Sequence, residues 1–491
     1  MDIDKRRNTG AFYTPKIWVD LSHQYLEDTL GVNWQDEYYI WDCAAGTGNL
    51  LESLKNPENI WASTLDSEDV EIIKERSELN LLEDHIFQFD FLNDDFDKIP
   101  SGLFEIISNK EKREKLIILI NPPFAEVSSG PRIKRTKNVL LKNDVSSKYK
   151  EKIKYCSREL YTQFLIRIYF ELEGCFIAVF SKIKNLVGLN YKHFRQVFQA
   201  KILKMFLVPS STFYNIKSDF LIGFCIFNTS EKEPFSCVNA DVYNHKGIQL
   251  PSKRICNIDN ERKINDWIKS NIPEKEALCQ IRLDDNFISS QRLIYIVSSK
   301  KKKRSGRILV HSDNFIDAAI YYSIKHSMRV TWLNERDFLR YPNNDYEKDS
   351  DFKSDCIVFF IFNNNLSCRH DVNHFIPFTE TEVGAQGKFE SSFVVDFIKT
   401  NSIQFSKQAL MVLNIGKELY KYYHKQKARN INASIYDIKE HFQGRNIKGK
   451  MNNKSNDNRY NEIMGKLKQE LNVLRELILQ KGYKYGFIKK E

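Results

Sequence analysis

The five-residue run Leu116–Ile120 is wholly apolar and is followed at once by Asn121-Pro122-Pro123-Phe124. A short apolar run that ends in a turn signal is typical of a strand buried on both faces. The two prolines fix φ, remove two amide donors and hold the residue before them extended, so the strand must stop there. The sequence therefore predicts a stiff loop that presents the Asn121 side chain and the Pro122 carbonyl as acceptors. Such a clamp could bind an exocyclic amino group, with Phe124 as a stacking face, although the same tetrapeptide also occurs in ordinary turns.

A second strand candidate, Tyr38–Trp41, leads into a glycine-containing turn and then into a helical pattern. The turn reads Asp42-Cys43-Ala44-Ala45-Gly46-Thr47-Gly48. Gly46 and Gly48 can adopt backbone angles closed to other residues and let a ligand approach the main chain. The first amides of a following helix would be available to bind polar groups. A lone Gly-x-Gly is equally compatible with a plain tight turn. The residues at the ends of the next strands are therefore needed to distinguish a ligand site from such a turn.

Two further strand candidates end in acidic residues. The first, Ile60–Leu65, ends at Asp66, about 20 residues after the glycine turn, where nucleotide-binding folds place a carboxylate on ribose hydroxyls. The second, His85–Phe89, leads into Asp90 and Phe91, the acceptor and the apolar wall that an adenine ring needs. Each acid could instead be a solvated loop residue, but their regular positions at strand ends favour a nucleotide site.

Together, the turn at 42–48, Asp66, Asp90 and the clamp at 121–124 resemble the S-adenosylmethionine-dependent N6-adenine DNA methyltransferases. One subgroup of that family places its cofactor motif first and its DNA-reading domain at the C-terminus. That subgroup has, ahead of the glycine loop, a segment similar to Thr9-Gly10-Ala11-Phe12-Tyr13-Thr14-Pro15. The pattern is also similar to the modification subunits of type I restriction systems and to the methyltransferase half of fused restriction-modification enzymes. The resemblance extends to about residue 230.

The resemblance implies an α/β fold class. We expect a Rossmann-like S-adenosylmethionine methyltransferase domain with a mostly parallel sheet over residues 1–235. A mixed α/β DNA target-recognition domain would follow over 236–430, and a C-terminal helical extension over 431–491. In that extension, residues 427–458 are rich in Asn, Lys and Arg, and the apolar residues after them recur at helical spacing up to Gly482. These apolar residues are Ile463, Leu467, Leu471, Leu474 and Ile478. This amphipathic helix would pack within the chain or bind a partner subunit.

The resemblance also implies roles for individual residues. The catalytic residues would be Asn121, Pro122, Pro123 and Phe124. The cofactor-binding residues would be Thr9, Gly10, Phe12, Tyr13, Pro15, Asp42, Ala44, Gly46, Gly48, Asp66, Asp90 and Phe91. The Asn121 oxygen and the Pro122 carbonyl would accept hydrogen bonds from the N6 amino group of an adenine flipped out of double-stranded DNA, and Phe124 would stack on the base. No metal is expected.

The implied function is site-specific methylation of adenine in DNA within a restriction-modification or epigenetic system. The same clamp occurs in RNA and protein-glutamine methyltransferases, so these activities remain alternatives, as does a catalytically silent DNA-binding subunit. N4-cytosine methylation is less favoured, because those enzymes usually have Ser where this chain has Asn121. The expected partners are double-stranded DNA and a cognate restriction endonuclease or specificity subunit. A fused N-terminal nuclease is not expected, because eight residues precede Thr9.

Charge and composition exclude fewer classes of function than the motifs do. The chain carries 74 basic and 64 acidic residues, a formal net charge of +10, which is compatible with a nucleic-acid partner without establishing one. Two basic clusters, 134–137 and 300–307, could contact phosphates or lie in solvated loops. Residues 125–157 are polar and Lys-rich, and we interpret them as a flexible loop beside the site or a disordered insertion.

The nine cysteines include no C-x-x-C pair, so neither a zinc site nor a disulfide framework is predicted. No signal peptide is recognised, and the longest apolar runs, such as Cys356–Phe362, are short enough to be interpreted as strands. The sequence therefore predicts a cytoplasmic protein that does not associate with membranes. The resemblance implies that it is bacterial or phage-encoded and associated with the nucleoid.

Overall fold

A computed structural model describes residues 13–124, 142–214, 216, 218–269, 276–300, 306–369, 371–427 and 430–489. The chain divides into two compact units. The first comprises the residues up to Asn260 together with Thr331–Leu333, and the second comprises Glu261–Val330 and the residues from Asn334 onward.

The first unit is built on one twisted sheet, with nine strands in the described residues. The strands are β1 (Tyr39–Asp42), β2 (Ile60–Thr64), β3 (Ile86–Gln88), β4 (Leu116–Ile120), β5 (Phe176–Lys182), β6 (Ala200–Pro209), β7 (Leu221–Lys232), β8 (Cys237–Tyr243) and β9 (Gln249–Cys256). Their order is β3-β2-β1-β4-β5-β7-β6-β8-β9. The strands β1 to β5 pair in parallel, whereas β7 runs antiparallel between β5 and β6. The predicted fold class, a Rossmann-like and mostly parallel sheet, is confirmed.

Helices cover both faces of this sheet. They are α1 (Lys16–Leu30), α2 (Trp34–Glu37), α3 (Ser67–Glu75), α4 (Ser101–Ser108), α5 (Lys110–Arg113), α6 (Asp144–Ile153), α7 (Leu160–Glu171), α8 (Lys184–Val187) and α9 (Lys192–Val197). Alternate residues of β4 belong to two different cores. Ile117 and Leu119 pack with α1 and α3 on one face, and Ile118 and Ile120 pack with α4 and α7 on the other. This double burial explains why β4 is apolar at every position.

The helix α6 lies in the stretch that was predicted to be a loop or insertion, so that prediction is wrong for its second half. The buried residues Val145, Tyr149 and Ile153 are spaced by four, which is the spacing of one helical face. Asn143 caps the helix, because its side chain accepts a hydrogen bond from the Ser146 amide. Residues 125–141 and the cluster at 134–137 lie outside the described residues, as do residues 301–305 of the second basic cluster.

The strands β8 and β9 extend the sheet past residue 235, so the first unit reaches Asn260. Cys237 and Cys256 face each other across this antiparallel pair, with their Cα atoms 4.0 Å apart, and form a disulfide. The expectation of no disulfide is therefore wrong. The two cysteines are 19 residues apart in sequence, and only the strand register brings them together.

The second unit combines a small antiparallel sheet with a helical core. Its strands are β10 (Cys279–Arg282), β11 (Ile296–Ser298) and β12 (Arg307–Val310), in the order β11-β10-β12. Its helices are α10 (Ile264–Lys269), α11 (Phe315–Ser327), α12 (Ser350–Phe362), α13 (Glu380–Val383), α14 (Phe393–Thr400), α15 (Lys407–His424), α16 (Ile435–Gln443) and α17 (Asn458–Lys484). The predicted C-terminal amphipathic helix is confirmed as α17, whose apolar face is buried in the core of this unit.

The run Cys356–Phe362 is the end of α12 and is not a strand, so that prediction is wrong. Every residue of the run is buried in the helical core. A helix buried all round shows no amphipathic period, and its short apolar runs cannot be told from a buried strand by pattern. Within the described residues, no helix combines the length and the apolar character needed to cross a bilayer.

Candidate active site

The polar strand-end residues predicted from the sequence meet at one edge of the sheet in the first unit. Because β1, β2 and β4 are parallel, their carboxyl ends lie at the same edge. Asp42 ends β1, Asp66 follows β2 by two residues, and Asn121 directly follows β4. The strand order reverses between β1 and β4, and such a switch point is where open α/β sheets bind ligands.

The glycine turn has the backbone geometry that its sequence predicts. Gly46 and Gly48 have φ values of +54° and +81°, in the region that favours glycine. The Gly48 amide donates to the Ala45 carbonyl at 2.8 Å, and the Ala45 amide donates to Ser63 of β2 at 3.0 Å. A Cβ on Gly48 would lie 2.6 Å from Leu79 Cδ1. The predicted helical segment after the turn is a short 3-10 helix at 49–51.

Arg76 lies outside the glycine turn in sequence and stabilises it through hydrogen bonds, a role that was not predicted from the sequence. Its Nη1 donates to the Thr47 carbonyl and to Asn49 Oδ1, both at 2.7 Å. Its other nitrogens pair with Glu52 at 2.5 Å and with Glu78 at 2.8 Å. Arg76 lies beyond the end of α3, and only the folded chain brings its guanidinium to the turn. The glycine turn is therefore fixed in shape before any ligand arrives.

Asp42 is buried at the base of the turn, with 1 % of its surface exposed. Its Oδ1 accepts a hydrogen bond from the Ala44 amide at 3.0 Å. Burial raises the pKa of the Asp42 carboxyl to about 8, because the charged form loses its hydration. The Asp42 carboxyl is therefore largely protonated near neutral pH, and it shapes the turn through Ala44.

The segment ahead of α1 contacts both the glycine turn and the clamp. Asn121 Nδ2 donates to the buried Thr14 Oγ1 at 3.0 Å. Tyr13 Cε1 would lie 3.8 Å from a Cβ on Gly46. Pro15 precedes α1 and accepts a hydrogen bond from the Trp18 amide. The structure thus joins three separately predicted motifs, with Thr14 as an additional residue. The predicted site residues Thr9, Gly10 and Phe12 lie outside the described residues.

The end of the clamp is anchored by a lysine of β5. Lys182 Nζ donates to the Phe124 carbonyl at 2.9 Å and lies 5.9 Å from the centre of the Phe124 ring. That ring is 4 % exposed, so stacking on a base would require it to become accessible. Pro122 is also buried, and Pro123 is partly exposed.

The charge of Lys182 is compensated by Glu159, which is fully buried. Glu159 lies 3.7 Å from Lys182 Nζ and 2.6 Å from Lys184 Nζ, and it accepts a hydrogen bond from the Tyr191 hydroxyl at 2.8 Å. The sequence analysis assigned no role to these residues. The available signal was Lys182 itself, a charged residue that ends a strand whose residues 176–180 are apolar.

Asp66 lies just before α3 and is partly exposed. The neighbouring Leu65 is 56 % exposed, which is high for a leucine that directly follows a buried strand. An acidic acceptor beside an open apolar surface is suited to a ribose with its attached base.

The structure does not bring Phe91 to an open cleft. Its ring is buried and stacks on Phe164 at a centroid distance of 5.0 Å, with the Arg167 guanidinium 5.1 Å from its centre. The neighbouring Asp90 carboxylate accepts hydrogen bonds from the Leu92 amide at 3.0 Å and from Asn93 Nδ2 at 2.7 Å. Asp90 therefore organises its own loop.

Comparison with known proteins gives weak structural likeness only. No protein-family model and no curated protein matches the chain. A type I restriction-modification methyltransferase subunit from Streptococcus thermophilus is 16 % identical with a TM-score of 0.34, and the match covers 50 % of this chain and 51 % of that one. A nuclease-deletion mutant of the Type ISP restriction-modification enzyme LlaGI, in complex with a DNA substrate mimic, is 12 % identical with a TM-score of 0.36, covering 57 % and 34 %.

A third solved structure is from Listeria monocytogenes and is provisionally assigned as a class I S-adenosylmethionine-dependent methyltransferase. It is 12 % identical with a TM-score of 0.29, and the match covers 50 % of this chain and 67 % of that one. The chain thus spans about half the length of the type I subunit and about a third of LlaGI.

Proposed function

We propose that the first unit is an S-adenosylmethionine-dependent methyltransferase that modifies the N6 amino group of adenine in double-stranded DNA. The observation that carries this proposal is the hydrogen bond from Asn121 to Thr14. It fixes the side-chain amide of the clamp at the edge of the sheet, beside the glycine turn and at the switch point between β1 and β4.

The residues at this edge fit the cofactor. The positive φ values of Gly46 and Gly48 leave the main chain of the turn open to close approach. Asp66 and the exposed Leu65 match a ribose and its base, and Tyr13 lies over the turn. S-adenosylmethionine supplies an electrophilic methyl group on a positively charged sulfur.

The clamp supplies the activation of the amino group. The lone pair of an exocyclic amine is delocalised into its ring, so the amine is a poor nucleophile. Two acceptors on its protons, Asn121 Oδ1 and the Pro122 carbonyl, localise that pair and stabilise the positive charge that develops on nitrogen. Since the amide nitrogen of Asn121 donates to Thr14, the amide oxygen is directed to the other side and is polarised as an acceptor.

Two residues behind the clamp would hold these acceptors in place. Lys182 holds the carbonyl of Phe124, and the buried Glu159 holds Lys182 in place. Acceptors held in this way would orient the amino nitrogen toward the methyl group, and such positioning is worth several kcal/mol of a displacement barrier.

Double-stranded DNA is the proposed substrate, and the second unit is proposed to read its sequence. The target adenine would be flipped out of the stack at a cost of a few kcal/mol. A cognate restriction endonuclease or specificity subunit is the proposed partner. RNA and protein-glutamine methylation, and a silent DNA-binding subunit, are the competing functions.

The test is methyl transfer with the full-length protein. Tritiated S-adenosylmethionine is incubated separately with bacterial genomic DNA that lacks methylated bases, with total RNA and with total protein. We expect the label to appear in DNA. After digestion of that DNA to nucleosides, the label should be found in N6-methyldeoxyadenosine. Label confined to RNA or protein would replace the proposed substrate. Cofactor binding without any transfer would favour the silent subunit.

A further inference from the structure

A short, largely exposed hairpin lies between α16 and α17 in the second unit. It spans residues 444–452, and we call it the basic hairpin. Its arms pair at Arg445 and Met451, and Ile447 lies at its tip. Ile447 is 107 % exposed, more than any other exposed large apolar residue in the described part of the chain; Val32 follows at 79 %.

The tip of the basic hairpin is rigid. Asn446 Oδ1 accepts hydrogen bonds from the amides of Lys448 and Lys450, both at 3.0 Å. The main chains of Asn446 and Lys450 also pair at 2.8 Å, and Gly449 closes the turn with a φ of +72°. Ile447 is therefore presented on a turn that holds its shape in the free protein.

The base of the basic hairpin is tied to α16. Arg445 Nε pairs with Glu440 at 2.6 Å, and Arg445 Nη2 donates to the Tyr436 hydroxyl at 2.9 Å. Asn452 Nδ2 donates to the Gln443 carbonyl at 2.9 Å. The hairpin thus projects from the body of the second unit as a fixed element.

The charge around the tip is of one sign. Residues 444–456 contain Arg445, Lys448, Lys450 and Lys454 and no acidic residue. Arg445 is used within the fold, whereas the three lysines are exposed. A fully exposed isoleucine contributes no burial to folding. Ile447 is followed on its rigid turn by Lys448 and Lys450, and this combination indicates a partner that is anionic at its surface and apolar within.

We propose that the basic hairpin inserts into duplex DNA, with Ile447 as a wedge between base pairs and Lys448 and Lys450 on the flanking phosphates. The proposal rests on the function proposed above, because it takes DNA as the substrate. The stacked bases of a duplex form an apolar interior, and the phosphates around them are anionic. Apolar side chains that insert between base steps kink the duplex. Each phosphate contact releases counterions and makes binding depend on salt.

The test uses the full-length protein and a short random-sequence duplex that carries a fluorophore pair at its two ends. Affinity is measured across a salt series, and bending is measured by energy transfer. Ile447→Ser should weaken binding about tenfold, from the lost apolar burial, and should abolish the bend while leaving the salt slope unchanged. The double variant Lys448→Gln, Lys450→Gln should lower the slope by about 1.8.

Matched controls come from exposed positions elsewhere. Val32→Ser removes an exposed apolar side chain from the first unit, and Lys399→Gln removes one exposed positive charge from α14. Neither should change the bend, and thermal unfolding should show all four variants folded, since every altered side chain is exposed.

The outcomes separate this inference from the proposed function. If the wild-type protein binds and methylates DNA but Ile447→Ser bends the duplex as the wild type does, the wedge is wrong and the methyltransferase proposal stands. An effect of the hairpin variants on RNA or protein binding alone would also overturn it. If the wild-type protein neither binds nor methylates DNA, both proposals fall together.

Discussion

Replacing Gly48 by alanine should destabilise the first unit even without a ligand. At a φ of +81°, an L-residue pays about 1–2 kcal/mol for the left-handed backbone. The added Cβ would lie 2.6 Å from Leu79 Cδ1 and 3.6 Å from Ile73 Cγ1. Both side chains are buried, and overpacking of this kind costs about 1–3 kcal/mol. The expected loss is therefore about 2–5 kcal/mol, a large part of the roughly 5–15 kcal/mol that stabilises a typical domain.

Gly46→Ala is the matched control, because it lies in the same turn. Its φ is +54°, and the nearest atom to an added Cβ is Tyr13 Cε1 at 3.8 Å, an ordinary contact. Only the backbone cost of about 1–2 kcal/mol should remain. Urea unfolding followed by tryptophan fluorescence measures both variants, since Trp41 and Trp61 are buried in this sheet. Equal losses for the two variants, within about 0.5 kcal/mol, would refute the steric argument.

Three further variants probe the site. Lys182→Met should lower kcat roughly tenfold to a hundredfold, because the Phe124 carbonyl loses a charged donor worth about 1.5–3 kcal/mol. Lys182→Arg should restore part of the rate. A change in KM alone would contradict the role of Lys182 in holding the clamp. Asp42→Asn should flatten the pH dependence of stability. The folded protein keeps the Asp42 proton up to a pKa of about 8, whereas the unfolded chain loses it near 3.8. The free energy of unfolding of the wild type should therefore fall as pH rises between these values. If urea unfolding gives the wild type and Asp42→Asn the same change of this free energy with pH, the raised pKa of Asp42 is excluded. Thr14→Val should lower kcat and Thr14→Ser should not, because only serine keeps the acceptor for Asn121; equal rates for the two variants would argue against that bond.

The strands and their ends could be predicted from the sequence because each strand is a short apolar run with a polar residue after it. The bounds of β4 agree with the prediction, and those of β1, β2 and β3 agree to within two residues. The glycine turn was predictable for a similar reason, since its backbone angles require glycine at defined places. Local pattern is enough where the physical constraint is itself local.

The contacts that hold the site together could not be predicted in this way. Asn121 and Thr14 are 107 residues apart, and Lys182 and Phe124 are 58 residues apart. No periodicity relates such pairs, because only the sheet order and the packing of α1 bring them together.

The burial of the Phe91 ring could not be predicted from strand alternation. β3 ends at Gln88, and Phe91 lies in the turn that follows it, where side chains no longer alternate between two faces. Only the packing of that turn against Phe164 shows that the ring belongs to the core. The exposure of Ile447 could not be predicted from the sequence either. A lone isoleucine in a polar segment belongs to no pattern from which its exposure can be deduced.

The most direct test of the clamp is methyl transfer to DNA by Asn121→Ala, compared with Asn33→Ala. Asn33 is an exposed asparagine of the first unit whose side chain makes no capping bond to α2. We expect Asn33→Ala to methylate adenine at the wild-type rate. Asn121→Ala should be slower by about a hundredfold to a thousandfold, the usual effect of removing one group that stabilises developing charge, while it binds S-adenosylmethionine with unchanged affinity in calorimetry. Wild-type methylation by Asn121→Ala would contradict the clamp as the source of catalysis.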